Sequence, residues 1–473
     1  MVRYFLFSGF ALLVLLMTTA SSRSDNTPPF RYGADERARW EYFDHIPSKV
    51  DVPDYSRNGE NDYFRFRTRI WSELDLFPSV TAKARIVNES RSWFYPNMSQ
   101  KPQRSSSEWP DEWVFDNLYL EARDLLDKTV DIRAGRQELL YGNGRVLMDG
   151  TPGDGSRTLY FNAVKATIKS IPDSQLDLFG IYNPPEDQWA INGAQRDLSA
   201  FSKAPNGVTE SGAGMYLKNS TLKNLPFENY LIYKRESAYD QAVKPDATGK
   251  FAPPAFAWQT VDTSAKVLRN PDNDIETAGF RLMPVFSDTV SGNLEVAGQY
   301  GQHGDTEMHG FMVDAYLAQK FSTTTASPIL KGGIYLLSGD NPKTATDEGW
   351  NPLWARCPQS SELFVFAYDA EQSAFRWSNL IDPNLSLSIT PAKWAKTTAS
   401  AHYLAAFEAD GNGGGRGRGW LGQLRQEFTL AENTLRPKDK LTTYFLVECL
   451  EPGNYYKNKD MAIFARWEML YVF

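Results

Sequence analysis

The residues best placed to do chemistry are three arginines at alternate positions, Arg65, Arg67 and Arg69. In an extended chain successive side chains point to opposite faces, so all three project from one side. A guanidinium group stays charged and presents a planar fork that donates two parallel hydrogen bonds to a carboxylate. Three like charges on one face repel, so the row requires carboxylates offset from it or an anionic ligand. Further basic residues fall on the same faces by alternation: Lys83, Arg85, Arg91, Arg133, Lys234, Arg281, Lys331, Arg425 and Arg466. So do Glu41, Glu73, Asp75, Glu89, Glu121, Asp131, Glu236, Glu276, Glu295, Asp314, Glu427, Glu448 and Glu468. Such a wall can brace itself with Arg–Glu pairs between neighbouring strands, or hand an anion from one donor to the next.

Catalysis and metal binding have thinner support. Ser400 and His402 share a strand face, as a nucleophile and its base would. The sequence supplies no matching oxyanion site. His303 and His309 flank Asp305 and Glu307 in a stretch that reads as a solvated polar loop. The stretch 410–419 is rich in glycine but lacks the Lys-Ser/Thr and the strand-to-helix setting of a phosphate cradle, and it reads as a mobile loop carrying Arg416 and Arg418. No enzyme activity, metal or cofactor is expected. The net charge of −8 becomes −9 without Arg3, and an acidic total argues against a nucleic-acid partner.

The elements that position these residues are legible from both ends. Residues 1–20 carry Arg3, an apolar run from Tyr4 to Met17 and the small residues Thr18, Thr19 and Ala20. That pattern is a secretory signal peptide, followed by a short periplasmic segment over 21–30. At the other end Ile463, Ala465, Trp467, Met469, Tyr471 and Phe473 share one face, with Arg466 and Glu468 on the other. Lipid outside and water inside suit such a strand. The alternation cancels in a hydropathy window, so a negative mean hydropathy does not exclude it. Aromatic residues make up 14% of the chain, as aromatic girdles at both membrane interfaces require.

Eighteen runs share this period: 31–44, 62–76, 80–92, 113–124, 130–139, 157–168, 175–183, 212–220, 226–236, 274–284, 290–301, 308–319, 327–339, 379–390, 397–405, 421–430, 440–450 and 461–473. Short connections alternate with mostly longer ones if 363–368, itself strand-like, belongs to a loop. The sequence therefore predicts an all-β, antiparallel, up-and-down transmembrane β-barrel over 31–473, with short periplasmic turns, long extracellular loops and both ends in the periplasm of a Gram-negative-type outer membrane. The loops 184–211 and 237–273 are long enough to fold over the mouth. Cys357 and Cys449 both fall on the extracellular side, where an oxidising setting permits a disulfide; two unpaired thiols fit the spacing equally.

Three groups of residues carry a family resemblance: Arg133-Ala134-Gly135-Arg136-Gln137 with Asn162; Leu337-Ser338-Gly339-Asp340-Asn341-Pro342 with Gly349-Trp350-Asn351-Pro352-Leu353-Trp354; and Asn379-Leu380 with Leu385 to Pro391. In order and spacing the chain resembles the alginate-export outer-membrane porin family of eighteen-stranded barrels. The resemblance implies an electropositive lumen, partly covered by loops, that passes an anionic polysaccharide, most readily outward. It assigns Arg133 to a matching strand, and Arg65, Arg67, Arg69, Lys83, Arg85 and Arg91 to matching lumen faces. Arg136 falls on the outward face unless a bulge re-aims it. The partners expected are outer-membrane lipid, an anionic polysaccharide and periplasmic export components. A general or nutrient-uptake porin and a non-conducting adhesion barrel stand as competing readings. Clustered arginines would favour the polyanion channel, evenly paired charges the general porin.

Overall fold

A computed structural model describes residues 29–47, 60–95, 107–108, 112–148, 160–185, 189–192, 208–242, 259–322, 326–355, 360–365 and 377–473. The expected signal peptide lies outside the described residues. Eighteen strands form one closed antiparallel barrel: β1 (Phe30–Asp44), β2 (Asn61–Phe77), β3 (Val80–Tyr95), β4 (Trp113–Asp124), β5 (Val130–Gln137) and β6 (Phe161–Ile168) come first. They are followed by β7 (Ser174–Asn183), β8 (Glu210–Asn219), β9 (Phe227–Glu236), β10 (Asn273–Leu282), β11 (Val290–His303) and β12 (Thr306–Lys320). The last six are β13 (Ile329–Leu337), β14 (Leu380–Ala392), β15 (Ala395–Ala405), β16 (Gly417–Glu432), β17 (Lys440–Pro452) and β18 (Ala462–Val472). Each pairs with its sequence neighbours, and β1 pairs with β18 to close the cylinder. Closure leaves no edge for lipid to meet, which the bilayer demands of any sheet that crosses it.

The last residue takes part in that closure. Phe473 and Ala34 exchange backbone hydrogen bonds of 2.9 Å in each direction. Along β18 the burial alternates as the sequence predicts: Ala462, Phe464, Arg466 and Glu468 are buried inside, while Ile463 faces out. In β2 the same parity turns Arg65 and Arg67 inward and leaves Phe66, Ile70 and Leu74 on the lipid face.

All eighteen predicted runs correspond one to one with these strands, shifted by a few residues at their ends. Residues 362–365 form a helical turn, so the strand-like 363–368 does not enter the barrel where it is described. Two short segments, Ser107–Glu108 and Ala190–Asn192, pair antiparallel with the ends of β3 and β4. Described parts of the loop after β9 form a separate three-stranded sheet. Among the described residues no helix is long and apolar enough to cross a membrane, which says nothing of crossing by strands.

The lumen is not simply an open tube. Residues 138–148, after β5, and 338–355, after β13, fold inward and meet through a parallel bridge between Leu147 and Trp354. Trp354 N–H donates to the Val146 carbonyl at 3.2 Å. Leu139, Tyr141, Leu147, Trp350, Leu353 and Trp354 join the inward residues of the wall in one buried cluster. Tyr141 stacks between Phe179 and Tyr216, and its hydroxyl donates to Asp177, fixing the first segment to β7 and β8.

Candidate lumen site

The arginine row lies on the lumen face of β2, at the seam where β1, β2, β3 and β18 adjoin. Cross-strand register sets like charges opposite one another: Arg37 faces Arg67, Arg39 faces Arg65, and Arg65 faces Arg91. Directly opposed like charges destabilise a sheet, so carboxylates must separate them. Asp35 accepts from Arg67 Nη2 at 2.9 Å and from Arg69 Nε at 2.7 Å. Glu41 accepts from Arg65 Nη1 at 3.2 Å and from Arg466 Nε at 2.8 Å. Glu89 accepts from Arg65 Nη2 at 2.9 Å, and Glu468 from Arg39 Nε at 2.8 Å. The row is thus a braced lattice in which each arginine already grips a carboxylate. Arg65 and Arg67 are only 2% and 5% exposed, so little of the row meets open water.

Strand parity carries most other expectations. Arg85 pairs with Asp116 and Glu138, and Arg133 pairs with Glu121 while lying over the Tyr119 ring. Arg91 lies over Tyr63. Lys234 contacts Glu210 and Glu236 and donates to the Leu353 carbonyl, pinning one infolded segment to β9. Arg281 does the same for the other, contacting Glu228 and donating to Asn143 Oδ1 at 2.7 Å. Arg425 sits over Tyr444 and contacts Glu427. Lys331 lies 3.8 Å above the Tyr316 ring centroid, and Lys218 lies over Tyr141 and Tyr216. Among the described residues no carboxylate lies within salt-bridge distance of these two lysines, although Asp314 acts on Lys331 from farther off, and both sit near the short-turn end of the lumen.

Three expectations need correction. Glu276 is exposed on the outer face; Arg281, five residues on, has the opposite parity and takes the lumen. His303 ends β11 and is buried against Asn273 and Asp347, because the β11–β12 connection is a tight turn rather than a solvated loop. The glycines of 410–419 pack against Asn454, Tyr455 and Tyr456, and Arg418 is fully buried under those tyrosines. Arg136 keeps its outward parity opposite Leu118 and Asn162, yet it is buried beneath Tyr160 and Trp189. Cys449 lies on β17, and Cys357 lies outside the described residues.

Sequence reasoning missed the lumen residues contributed by loops. Arg145 donates to Asp314 at 2.8 Å and stacks on Tyr335 at 4.0 Å. Burial lowers its affinity for a proton, but Asp314 more than restores it, so Arg145 stays a cation. Asp340, in the infolded 338–355 segment, is pushed up to about 6 by burial and by the neighbouring Asp347 carboxylate. Glu362 grips Arg466 through both oxygens, at 2.6 and 2.9 Å.

The Ser400–His402 pair gains a third member. His402 Nδ1 is 2.8 Å from Asp382 Oδ1, and Nε2 is 3.2 Å from Ser400 Oγ. The serine proton is directed elsewhere, however: Ser400 donates to Gln423 Oε1 at 2.6 Å. Gln423 Nε2 in turn donates to the Ser360 carbonyl and to Glu448. The chain of bonds ends on the infolded turn at 360–363, so it braces a loop against the wall rather than arming a nucleophile.

No family model and no curated protein matches the sequence. Solved structures do. A BenF-like porin from Pseudomonas fluorescens Pf-5 is 9% identical with a TM-score of 0.57, covering 94% of this chain and 98% of that one. The outer membrane protein opdK of Pseudomonas aeruginosa is 10% identical with a TM-score of 0.54, over 94% and 99%. Pseudomonas aeruginosa OccK2 (OpdF), solved in complex with glucuronate, is 8% identical with a TM-score of 0.52, over 94% and 95%. Identities this low establish the fold alone. With the closed, lipid-faced barrel, they show that this chain has the β-barrel fold of these outer-membrane porins.

Proposed function

We propose that the protein is a passive channel for small carboxylate-bearing solutes of about uronate size. The observation that carries this reading is the lattice at the β18–β1–β2–β3 seam, where the arginines are paired, as in a general porin, but clustered on one side of the wall. Its guanidinium groups are already set at hydrogen-bonding distance from carboxylates supplied by the chain itself. A solute carboxylate can exchange with these along the wall without being held tightly at any one station. Lys218 and Lys331 then offer positive charge outside any salt bridge toward the periplasm. The glucuronate-bound neighbour of the same fold is consistent with such a ligand class.

Small solutes suit this lumen better than the anionic polysaccharide suggested by the sequence motifs. Two infolded segments meet at Trp354, which is fully buried, and a third turn is clamped against the arginine wall. A polymer of the alginate type would have to thread past all three, and passage outward would need periplasmic components to supply it. The discriminating experiment is planar-bilayer conductance with glucuronate and polymannuronate on either side. Concentration-dependent interruption by glucuronate, with the polymer inert, supports the small-solute channel. Block by polymannuronate at lower monomer-equivalent concentration supports polymer passage instead.

A further inference from the structure

Arg466 is shared between two carboxylates of very different standing. Its Nε and Nη2 donate to Glu41 Oε1 at 2.8 and 2.5 Å, and Nη1 and Nη2 meet Glu362 at 2.6 and 2.9 Å. Glu41 is locked in β1, paired on both sides, and its side chain is fully buried. Glu362 belongs to a helical turn with no strand partner, and its side chain is 15% exposed. Of the two, Glu362 is the carboxylate that touches water and can leave.

The rest of the turn is tied to the same wall by Gln423, which donates to the Ser360 carbonyl at 2.7 Å, and by Glu448. Glu448 accepts from the Ser361 hydroxyl at 2.6 Å, from Glu362 N–H at 3.1 Å and from Leu363 N–H at 2.9 Å. Leu363 and Phe364 then plug into the buried lumen cluster. A side chain of this protein therefore occupies a two-oxygen seat of the kind a solute carboxylate would take, and its occupant is the anchor of a lumen plug.

We propose that Arg466 is a carboxylate-binding seat held by Glu362 at rest, and that a uronate-type solute exchanges with Glu362 there and frees the 360–365 turn. This rests on the small-carboxylate reading above. A ligand shifts a conformational equilibrium only by its differential affinity for the two states. Here the difference is complete in principle, because the seat accepts solute only after Glu362 has left it. The apparent solute affinity is then reduced by the fraction of molecules in which the seat is vacant.

The test uses the full chain in lipid, with glucuronate as the probe and two readouts. Amide hydrogen exchange at Glu362 and Leu363 reports release of the turn, and single-channel recording reports solute binding. In the native chain glucuronate should speed exchange at these amides severalfold. Glu362→Gln keeps the shape of the side chain and leaves Arg466 its Glu41 partner. In that variant exchange should be fast without solute, and the apparent glucuronate affinity should rise on the order of tenfold, the factor for a seat vacant in a tenth of native molecules. Ser361→Ala, which removes the bond to Glu448 and the acceptor of the Phe364 N–H and leaves the seat intact, should move exchange in the same direction by less. Glucuronate events in the current with exchange at 362–363 unchanged or slowed would overturn the exchange mechanism and leave the channel reading standing. No response of the current to glucuronate would overturn both.

Discussion

Replacing Glu41 by Gln should expose how far the lumen lattice depends on charge closure. The carboxylate is fully buried and accepts from Arg65, Arg466 and Arg39, at 3.2, 2.5 and 3.4 Å for the nearest atom of each. The amide keeps one acceptor, turns an N–H₂ toward a guanidinium, and leaves positive charge uncompensated among Arg37, Arg39, Arg65 and Arg466. Breaking a buried pair by removing one partner costs about 3–5 kcal/mol. Urea unfolding in lipid vesicles, followed by the gel-shift of the folded barrel, should show a loss of that size. The same variant should be more anion-selective, because one negative charge leaves the lumen. Adding Arg65→Gln should recover part of the stability, since the two sites are in contact and couple. A loss below about 0.5 kcal/mol, the range of surface substitutions, would mean that Glu41 is solvated and does not hold the seam together by charge, contrary to its burial.

Other expectations follow from the infolded segments and the lower lumen. Trp354→Ala should raise single-channel conductance by loosening the junction with Val146 and Leu147, at a cost of about 3–5 kcal/mol for emptying a buried aromatic site. Lys218→Gln with Lys331→Gln should move the reversal potential in a salt gradient toward cations, whereas Lys83→Gln, whose charge is already met by Glu73 at 3.0 Å, should move it less. Asp340 titrates near 6 in the folded segment, above its ordinary value. An acid raised in this way binds its proton more tightly when folded, so its contribution to the 338–355 fold is full below about pH 4 and lost as pH rises through about 6. Amide protection across 338–350, taken relative to the intrinsic exchange rate at each pH, should therefore fall between pH 4 and 7, and Asp340→Asn should flatten that profile.

The sequence disclosed the barrel because one physical rule repeats in every strand: lipid on one face, polar lumen on the other. That rule placed Arg65, Arg133, Lys234, Arg281, Lys331, Arg425 and Arg466 inside without any knowledge of their partners. It also contained its own correction for Glu276, since Arg281 on the same strand has the opposite parity. Alternation carries no information about which strand lies beside which side chain at what height. The Arg466–Glu41 contact spans 425 positions and depends on the stagger of the closing strands. Loop residues obey no period at all. Arg145, Glu362 and Trp354 enter the lumen because a side-chain cluster inside the barrel has room for them, a property of the closed cylinder that no local stretch encodes. Asp382 completes the His402 contact for the same reason: it lies on the neighbouring strand, twenty residues away.

The measurement that bears most directly on the central claim is single-channel recording with glucuronate and polymannuronate added in turn to each side of a planar bilayer. The small-carboxylate channel predicts anion preference, brief current interruptions whose frequency rises with glucuronate, and weaker interruptions after Arg65→Gln or Arg466→Gln. Cation preference, or block by polymannuronate with glucuronate inert, would contradict it.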